Sequence, residues 1–160
     1  MNKVVVLDNI RSAHNVGSIF RTSDGAGVGR IYLVGLTPAP IDRFGRPRNE
    51  ILKTSLGATS SVSWESVGDS SSYSADELLE LIQGLKNDGF TVVAVEQAKG
   101  SVSLDDFIVP DKVADIFGAE VNGVQKRVID EADVILEIPM LGNKESLNVS
   151  VTAGIVLFKK

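Results

Sequence analysis

The sequence contains no cysteine and only one histidine, His14. Without thiols the chain forms no disulfide, no thiolate zinc site and no cysteine nucleophile, and a single histidine is too few for a typical histidine metal site. We therefore expect a fold held together by its hydrophobic core in a reducing, cytoplasmic environment, with no bound metal.

Long hydrophobic runs are also missing. The apolar run near the N-terminus covers only residues 4–7, which is shorter than the core of a signal peptide or a membrane span. The chain has 160 residues, of which 43% are hydrophobic, and this is the size of one domain with a sizeable core. These features predict a single domain over residues 1–160, with no membrane partner.

Two common nucleotide-binding patterns are absent as well. No Walker-type phosphate loop occurs, and no glycine fingerprint follows the first apolar run. Nucleoside triphosphates and dinucleotides therefore lose their main sequence support as ligands.

Positive charge is scarce overall but unevenly distributed. The net charge is −5, which argues mildly against nucleic-acid binding, yet residues 1–53 carry eight basic and four acidic side chains. The remaining residues carry eight basic and seventeen acidic side chains. An ordinary solvated surface explains such an imbalance equally well, but Arg43, Arg46, Arg48 and Lys53 remain candidates for phosphate contacts.

Short apolar segments alternate with segments of helical periodicity. Strands are predicted at residues 3–8, 30–35, 91–96, 113–118 and 134–139, and helices at 15–26, 75–86 and 124–131. Residues 36–50 and the serine-rich residues 66–74 are predicted to be loops. The final segment, 146–158, suits a strand or a helix, of which we favour the helix. The alternation predicts an α/β fold whose mostly parallel sheet is flanked by helices.

Three polar stretches follow predicted strands: residues 8–21, residues 116–123, and residues 138–140 together with 146–150. In open α/β sheets, ligands bind beyond the carboxyl ends of the strands, so these stretches are candidates for a site. Each residue alone has a simpler explanation: Asn15 is a possible helix cap, Gly118 and Gly123 suit turns, and Glu120 suits a solvated loop. Nothing places an acid and a serine around His14 to form a triad.

The three stretches together resemble the signature motifs of the SpoU (TrmH) family of RNA 2′-O-ribose methyltransferases, within the SPOUT superfamily. The first is Asn15-x-Gly17-x-x-x-Arg21, and the second is Gly118-x-Glu120-x-x-Gly123. The third is Ile138-Pro139-Met140 followed by Ser-Leu-Asn-Val-Ser at 146–150. The resemblance extends over nearly all of residues 2–158, including the segment 53–58.

The resemblance implies a C-terminal trefoil knot, a homodimer in which two subunits form each active site, and S-adenosylmethionine as cofactor. The catalytic residues it implies are Asn15, Arg21, Glu120, Asn148 and Ser150. The cofactor-binding residues it implies are Gln97, Gly100, Gly118, Ile138, Met140, Leu147 and Asn148. Arg21 is either a general base, as proposed for the family, or an electrostatic group that grips the substrate phosphate, which suits a side chain that is normally protonated.

The implied substrate is RNA. The sequence lacks the N-terminal RNA-binding extension of several rRNA-modifying relatives, so tRNA is expected rather than rRNA. The expected RNA contacts are Arg11, His14, Arg43, Arg46, Arg48 and Lys53. Two alternatives stay open: a non-catalytic RNA-binding or assembly protein that kept the fold, and a SPOUT enzyme that methylates rRNA, a base or a protein.

Overall fold

The computed structural model describes residues 2–68 and 75–160. Its strands are β1 (Asn2–Asp8), β2 (Arg30–Val34), β3 (Ser63–Val67), β4 (Thr91–Val95), β5 (Val102–Ser103), β6 (Lys112–Phe117) and β7 (Val134–Glu137). Its helices are α1 (Ala13–Gly25), α2 (Asn49–Ser55), α3 (Ala58–Ser61), α4 (Ala75–Asn87), α5 (Lys126–Glu131) and α6 (Val149–Leu157).

The strands form one parallel sheet in the order β3-β2-β1-β6-β4-β7-β5. The central strands β1, β6 and β4 are rich in apolar residues and almost wholly buried, as expected for parallel strands covered on both faces. Since every strand runs the same way, the loops after β1, β4, β6 and β7 meet at one edge of the sheet. The predicted α/β architecture is confirmed.

Helices cover both faces of the sheet. Alternate side chains of β1 separate into two cores: Val5 and Leu7 pack with residues of α1, α2 and α6, whereas Val4 and Val6 pack with residues of α4 and α5. Helix α1 buries Val16, Ile19, Phe20 and Ser23 on one side, at helical spacing. The two faces therefore hold separate cores around one sheet.

Gly17 explains how α1 and α2 approach each other. A Cβ at this position would overlap Thr54 Oγ1 and lie 2.6 Å from the carbonyl oxygen of Ile51. Only glycine leaves room for the second helix, so this residue of the first motif has a packing role.

Several segments differ from the predictions. Part of the predicted serine-rich loop is wrong, because Ser66 and Val67 belong to β3, which pairs with β2; residues 69–74 lie outside the described residues. The predicted loop 36–50 ends earlier, because Asn49 and Glu50 begin α2. Helices α2 and α3 and strands β3 and β5 are additional to the predicted elements. The final segment is a helix, as favoured. Within the described residues no helix combines the length and apolar character needed to cross a membrane.

Candidate active site

A cavity of about 540 Å³ opens at the carboxyl edge of the sheet. Its walls come from the loops after β4, β6 and β7 and from the start of α6. The lining includes Gln97, Gly118, Glu120, Ile138, Met140, Leu147 and Asn148. Pockets for small molecules and cofactors commonly have this size.

Four of the sequence-predicted catalytic residues meet beside this cavity. Asn15 Nδ2 donates a hydrogen bond to Glu120 Oε1 (3.3 Å), and Asn148 Nδ2 donates to Asn15 Oδ1 (3.3 Å). The backbone amide and hydroxyl of Ser150 donate to Asn148 Oδ1, at 2.8 and 2.7 Å. Residues more than a hundred positions apart thus form one network, which joins the three sequence motifs.

Helix caps hold this network in place. Ser12 caps α1 by accepting a hydrogen bond from the amide of Asn15, and its own amide donates to Glu120 Oε1 (3.4 Å). Asn148 caps α6 through the same side-chain oxygen that Ser150 contacts. Asn148 therefore stabilises a helix end and orients Asn15 at the same time. The simpler interpretation of Asn15 as a helix cap is wrong, since Ser12 occupies that position.

The loop after β6 folds tightly back on itself at the cavity. Ala119 and Gly123 form an antiparallel bridge, and a Cβ on Gly118 would overlap the backbone of Gly123 and Val124. Gly123 itself adopts a φ of 64°, in the left-handed region that favours glycine. The two glycines of the second motif are needed for this close approach.

Glu96 lines the cavity although it was not among the predicted site residues. Its Oε2 accepts a hydrogen bond from the amide of Val124, and its Oε1 accepts one from the amide of Gln97, both at 2.9 Å. This carboxylate therefore joins the loop after β4 to the loop after β6. Its position directly after a buried strand, at the carboxyl edge, was the signal that could have identified it.

The loop after β6 is also held by the end of β1. Asp8, at the end of β1 and only 1% exposed, accepts hydrogen bonds from Gln125 Nε2 (3.1 Å) and Asn9 Nδ2 (3.2 Å). Asn9 has a φ of 56°, and its side-chain oxygen accepts from the amide of Leu36. The end of β1 thus anchors both the cavity loop and the loop after β2.

Four predicted catalytic or cofactor-binding residues lie outside the cavity lining: Asn15, Arg21, Gly100 and Ser150. Asn15 is joined to the lining by its hydrogen bonds with Glu120 and Asn148. Gly100 is exposed in the loop after β4, where a Cβ would meet no other atom within 4 Å. Ser150 reaches the cavity only through its hydrogen bonds to Asn148. Arg21 is exposed on α1, several residues beyond Asn15, and does not line the cavity.

A second cavity, of about 620 Å³ and lined by several basic side chains, lies next to the hydrogen-bond network. It is lined by Arg11, Ser12, Ala13, His14, Pro38, Arg48, Glu50, Lys53 and Thr54. Four of the six predicted RNA contacts are therefore brought together, whereas Arg43 and Arg46 lie on the neighbouring loop. Ser12 connects the two cavities, because its amide contacts Glu120, which lines the first.

Comparison with known proteins agrees with the signature motifs. The model of the SpoU rRNA Methylase family matches residues 2–158. The 23S rRNA (guanosine-2′-O-)-methyltransferase RlmB of Neisseria meningitidis serogroup B is 30% identical over 96% of this chain and 56% of its own length. The chain thus spans little more than half of that curated relative.

Solved structures show the same fold. The AdoMet-bound rRNA methyltransferase from Sinorhizobium meliloti superposes with a TM-score of 0.82 at 28% identity, over 99% of this chain and 55% of that one. The A. aeolicus TrmH/SpoU tRNA modifying enzyme superposes with a TM-score of 0.78 at 30% identity, over 99% of this chain and 73% of that one.

Proposed function

Since the chain belongs to the SpoU rRNA methylase family, we propose that it transfers a methyl group from S-adenosylmethionine to a ribose 2′-hydroxyl of RNA. The observation that carries this proposal is the network of Asn15, Glu120, Asn148 and Ser150, which unites three distant motifs beside one cavity. The trefoil knot follows from membership of the family.

The first cavity suits S-adenosylmethionine chemically. Three carboxylates, Glu96, Glu120 and Glu137, line it, and no lysine or arginine does so among the described residues. A sulfonium cation is favoured in such surroundings. Ile138 and Leu147 offer apolar surface to the rest of the cofactor, and the missing side chain of Gly118 leaves room against the backbone. Bound there, the cofactor supplies an electrophilic methyl group.

The protein's part in the reaction is to position the ribose and to assist loss of a proton. In such a transfer the ribose 2′-hydroxyl would gain the methyl group and release its proton to solvent or to the substrate phosphate, and the cofactor would be left as a neutral thioether. Asn15 and Asn148 hold each other in fixed orientation and would direct the ribose. Arg21 would grip the adjacent phosphate and favour the developing alkoxide, because a guanidinium stays protonated.

Two subunits would build each site. Helix α6 packs on α1 but leaves Val151, Ile155 and the adjoining Phe158 exposed, by 50%, 40% and 56%. An apolar surface of this kind on a helix suits burial against a second copy. A homodimer through α6 would also explain why Arg21 does not line its own subunit's cavity: the arginine would serve the partner's site.

Among RNAs we favour tRNA, because the tRNA modifying enzyme from A. aeolicus is 30% identical to this chain. Relatives that act on rRNA align equally well, so both substrates belong in the first assay. A cytoplasmic location is part of the same proposal, because tRNA and ribosomes are found there.

The test is methyl transfer from radiolabelled S-adenosylmethionine to undermodified tRNA and rRNA, followed by digestion to nucleosides. We expect label in 2′-O-methylnucleosides of tRNA, reduced about a hundredfold or more by Arg21→Ala but unchanged by Arg127→Ala, an exposed arginine on α5. Label on a base would contradict the ribose assignment. Neither cofactor binding nor transfer to either RNA would favour a non-catalytic RNA-binding or assembly protein.

A further inference from the structure

Residues 41–48 form a small, tightly bonded hairpin between β2 and α2. Ile41 and Pro47 make an antiparallel bridge, and the amide of Asp42 donates to the carbonyl of Arg46 (2.9 Å). Gly45 makes the turn with a φ of 76°. This hairpin is held by local hydrogen bonds, and none of its residues belongs to either hydrophobic core cluster.

The Asp42 carboxylate organises the tip. Its Oδ1 accepts from the amides of Phe44 (2.8 Å) and Arg46 (2.9 Å), and its Oδ2 accepts from Arg46 Nε (2.9 Å). The hydrogen bond from the backbone of Arg46, with that from Phe44, holds the pKa of Asp42 below its usual value. At neutral pH the ionised Asp42 carboxylate therefore holds the hairpin tip in this conformation.

Phe44 stands at this tip, 66% exposed, with two guanidinium groups beside its ring. The centres of the Arg43 and Arg46 guanidinium groups lie 4.8 and 5.0 Å from the ring centroid. Cation–π contacts of this kind add about 1 kcal/mol at an exposed site, which accounts for the arrangement of the arginines but not for an exposed aromatic ring. Exposed aromatic rings and arginine side chains are the groups on which RNA-binding proteins stack unpaired nucleobases.

The hairpin continues the basic surface of the proposed site. The segment that carries it contributes Pro38 and Arg48 to the second cavity, whose Ser12 contacts Glu120 of the catalytic network. The hairpin that carries Phe44 therefore lies in the chain between two residues of the basic cavity, and that cavity adjoins the catalytic network. RNA held at the basic cavity would extend towards this hairpin.

We propose that Phe44, flanked by Arg43 and Arg46, is a stacking platform for one unpaired nucleobase of the RNA near the methylated nucleotide. The inference rests on the proposed function and narrows its substrate to RNA that is single-stranded beside the target. In a duplex both faces of a base are already stacked, so no base is free to stack on Phe44. The arginines, in contrast, can contact the phosphates of single-stranded and of duplex RNA.

The platform is tested by binding of fluorescein-labelled RNA of mixed sequence, single-stranded or duplex, to the full chain. Phe44→Ala should weaken single-strand binding about tenfold and leave duplex binding unchanged. Ile108→Ala, which removes another exposed apolar side chain (88%) elsewhere, should change neither. Phe44→Trp in a Trp64→Phe background should keep the affinity and, with unlabelled RNA, show fluorescence quenching on addition of the single strand.

The outcomes separate this inference from the proposed function. Unchanged single-strand affinity in Phe44→Ala, an equal loss for duplex RNA, or an unquenched indole in the Phe44→Trp variant would overturn the platform. If wild type methylates RNA and Phe44→Ala keeps both KM and kcat, the platform is wrong and the proposed function stands. If Phe44→Ala loses single-strand binding selectively while wild type transfers no methyl group, the platform stands and the proposed function is wrong.

Discussion

Asp115 is a carboxyl group in the middle of a covered sheet. It lies on β6 between Val5 of β1 and Val93 of β4, and it is 2% exposed. Burial raises its pKa to about 7, although the charge of Lys3 acts in the opposite direction. Lys3 is also buried and donates a hydrogen bond to the carbonyl oxygen of Leu157 at 2.8 Å. The Asp115 carboxyl and the Lys3 ammonium group are therefore both inside the protein. Replacing Asp115 by asparagine removes the titration while keeping the shape.

The sign of the effect follows from proton binding. In the unfolded chain an aspartate has a pKa of about 3.9, so between about pH 4 and pH 7 the folded protein holds a proton that the unfolded chain has lost. The contribution of this group to stability is complete below about pH 4 and is lost as the pH rises to about 7. A shift of about three pKa units corresponds to about 4 kcal/mol in the free energy of unfolding.

Urea unfolding at four pH values from about 4 to about 8, at one fixed protein concentration, measures this difference. The free energy of unfolding of Asp115→Asn minus that of wild type should increase by about 4 kcal/mol from about pH 4 to about pH 8. Any constant cost of the new amide cancels in this comparison. Asp111→Asn, at an exposed position just before β6, should give a curve parallel to wild type. A parallel curve for Asp115→Asn would refute the raised pKa, and a decrease would show that Asp115 acts as a stabilising ion-pair partner.

Two further predictions concern the cavity and the dimer. In Gly118→Ala the new methyl group must displace the backbone at Gly123, so calorimetry should show about a tenfold or greater loss of S-adenosylmethionine affinity. The control Gly84→Ala, whose added Cβ meets nothing within 4 Å, should bind like wild type. Equal affinities in both variants would show that the close approach of Gly118 to Gly123 does not matter for cofactor binding. Ile155→Glu should convert the proposed dimer to a monomer in light scattering, because it places a charge in the apolar interface formed by α6. The control Ile108→Glu should leave the dimer intact. A monomeric wild type would disprove the α6 interface.

The architecture was largely predictable because the central strands and the longest helices carry clear local patterns. Strand β1 contains an unbroken valine-rich run, and α4 repeats leucine and isoleucine at helical spacing, so both periodicities are visible without neighbours. Helices α2 and α3 are only seven and four residues long, which is too short for a clear period. Strand β3 alternates weakly and contains serines, and only its pairing with β2 makes it a strand.

The candidate site was also only partly predictable from the sequence. Asn15, Glu120 and Asn148 could be named from the sequence because they fall in recognisable motifs. Glu96 falls in no motif and was missed, although it directly follows a buried strand; its contacts are with two backbone amides, one of them 28 residues away. The role of Phe44 was equally hidden, because an aromatic residue in a sequence is expected in the core until its 66% exposure is known.

The sequence by itself determined the class of fold, the family and the polar residues at the carboxyl ends of the strands, because these depend on local periodicity and on short motifs. The tertiary structure decided which of those residues meet. Parallel strand order brings the ends of β1, β4, β6 and β7 to one edge, and there hydrogen bonds span more than a hundred residues. Such contacts depend on the packing of the whole sheet, which no local pattern records.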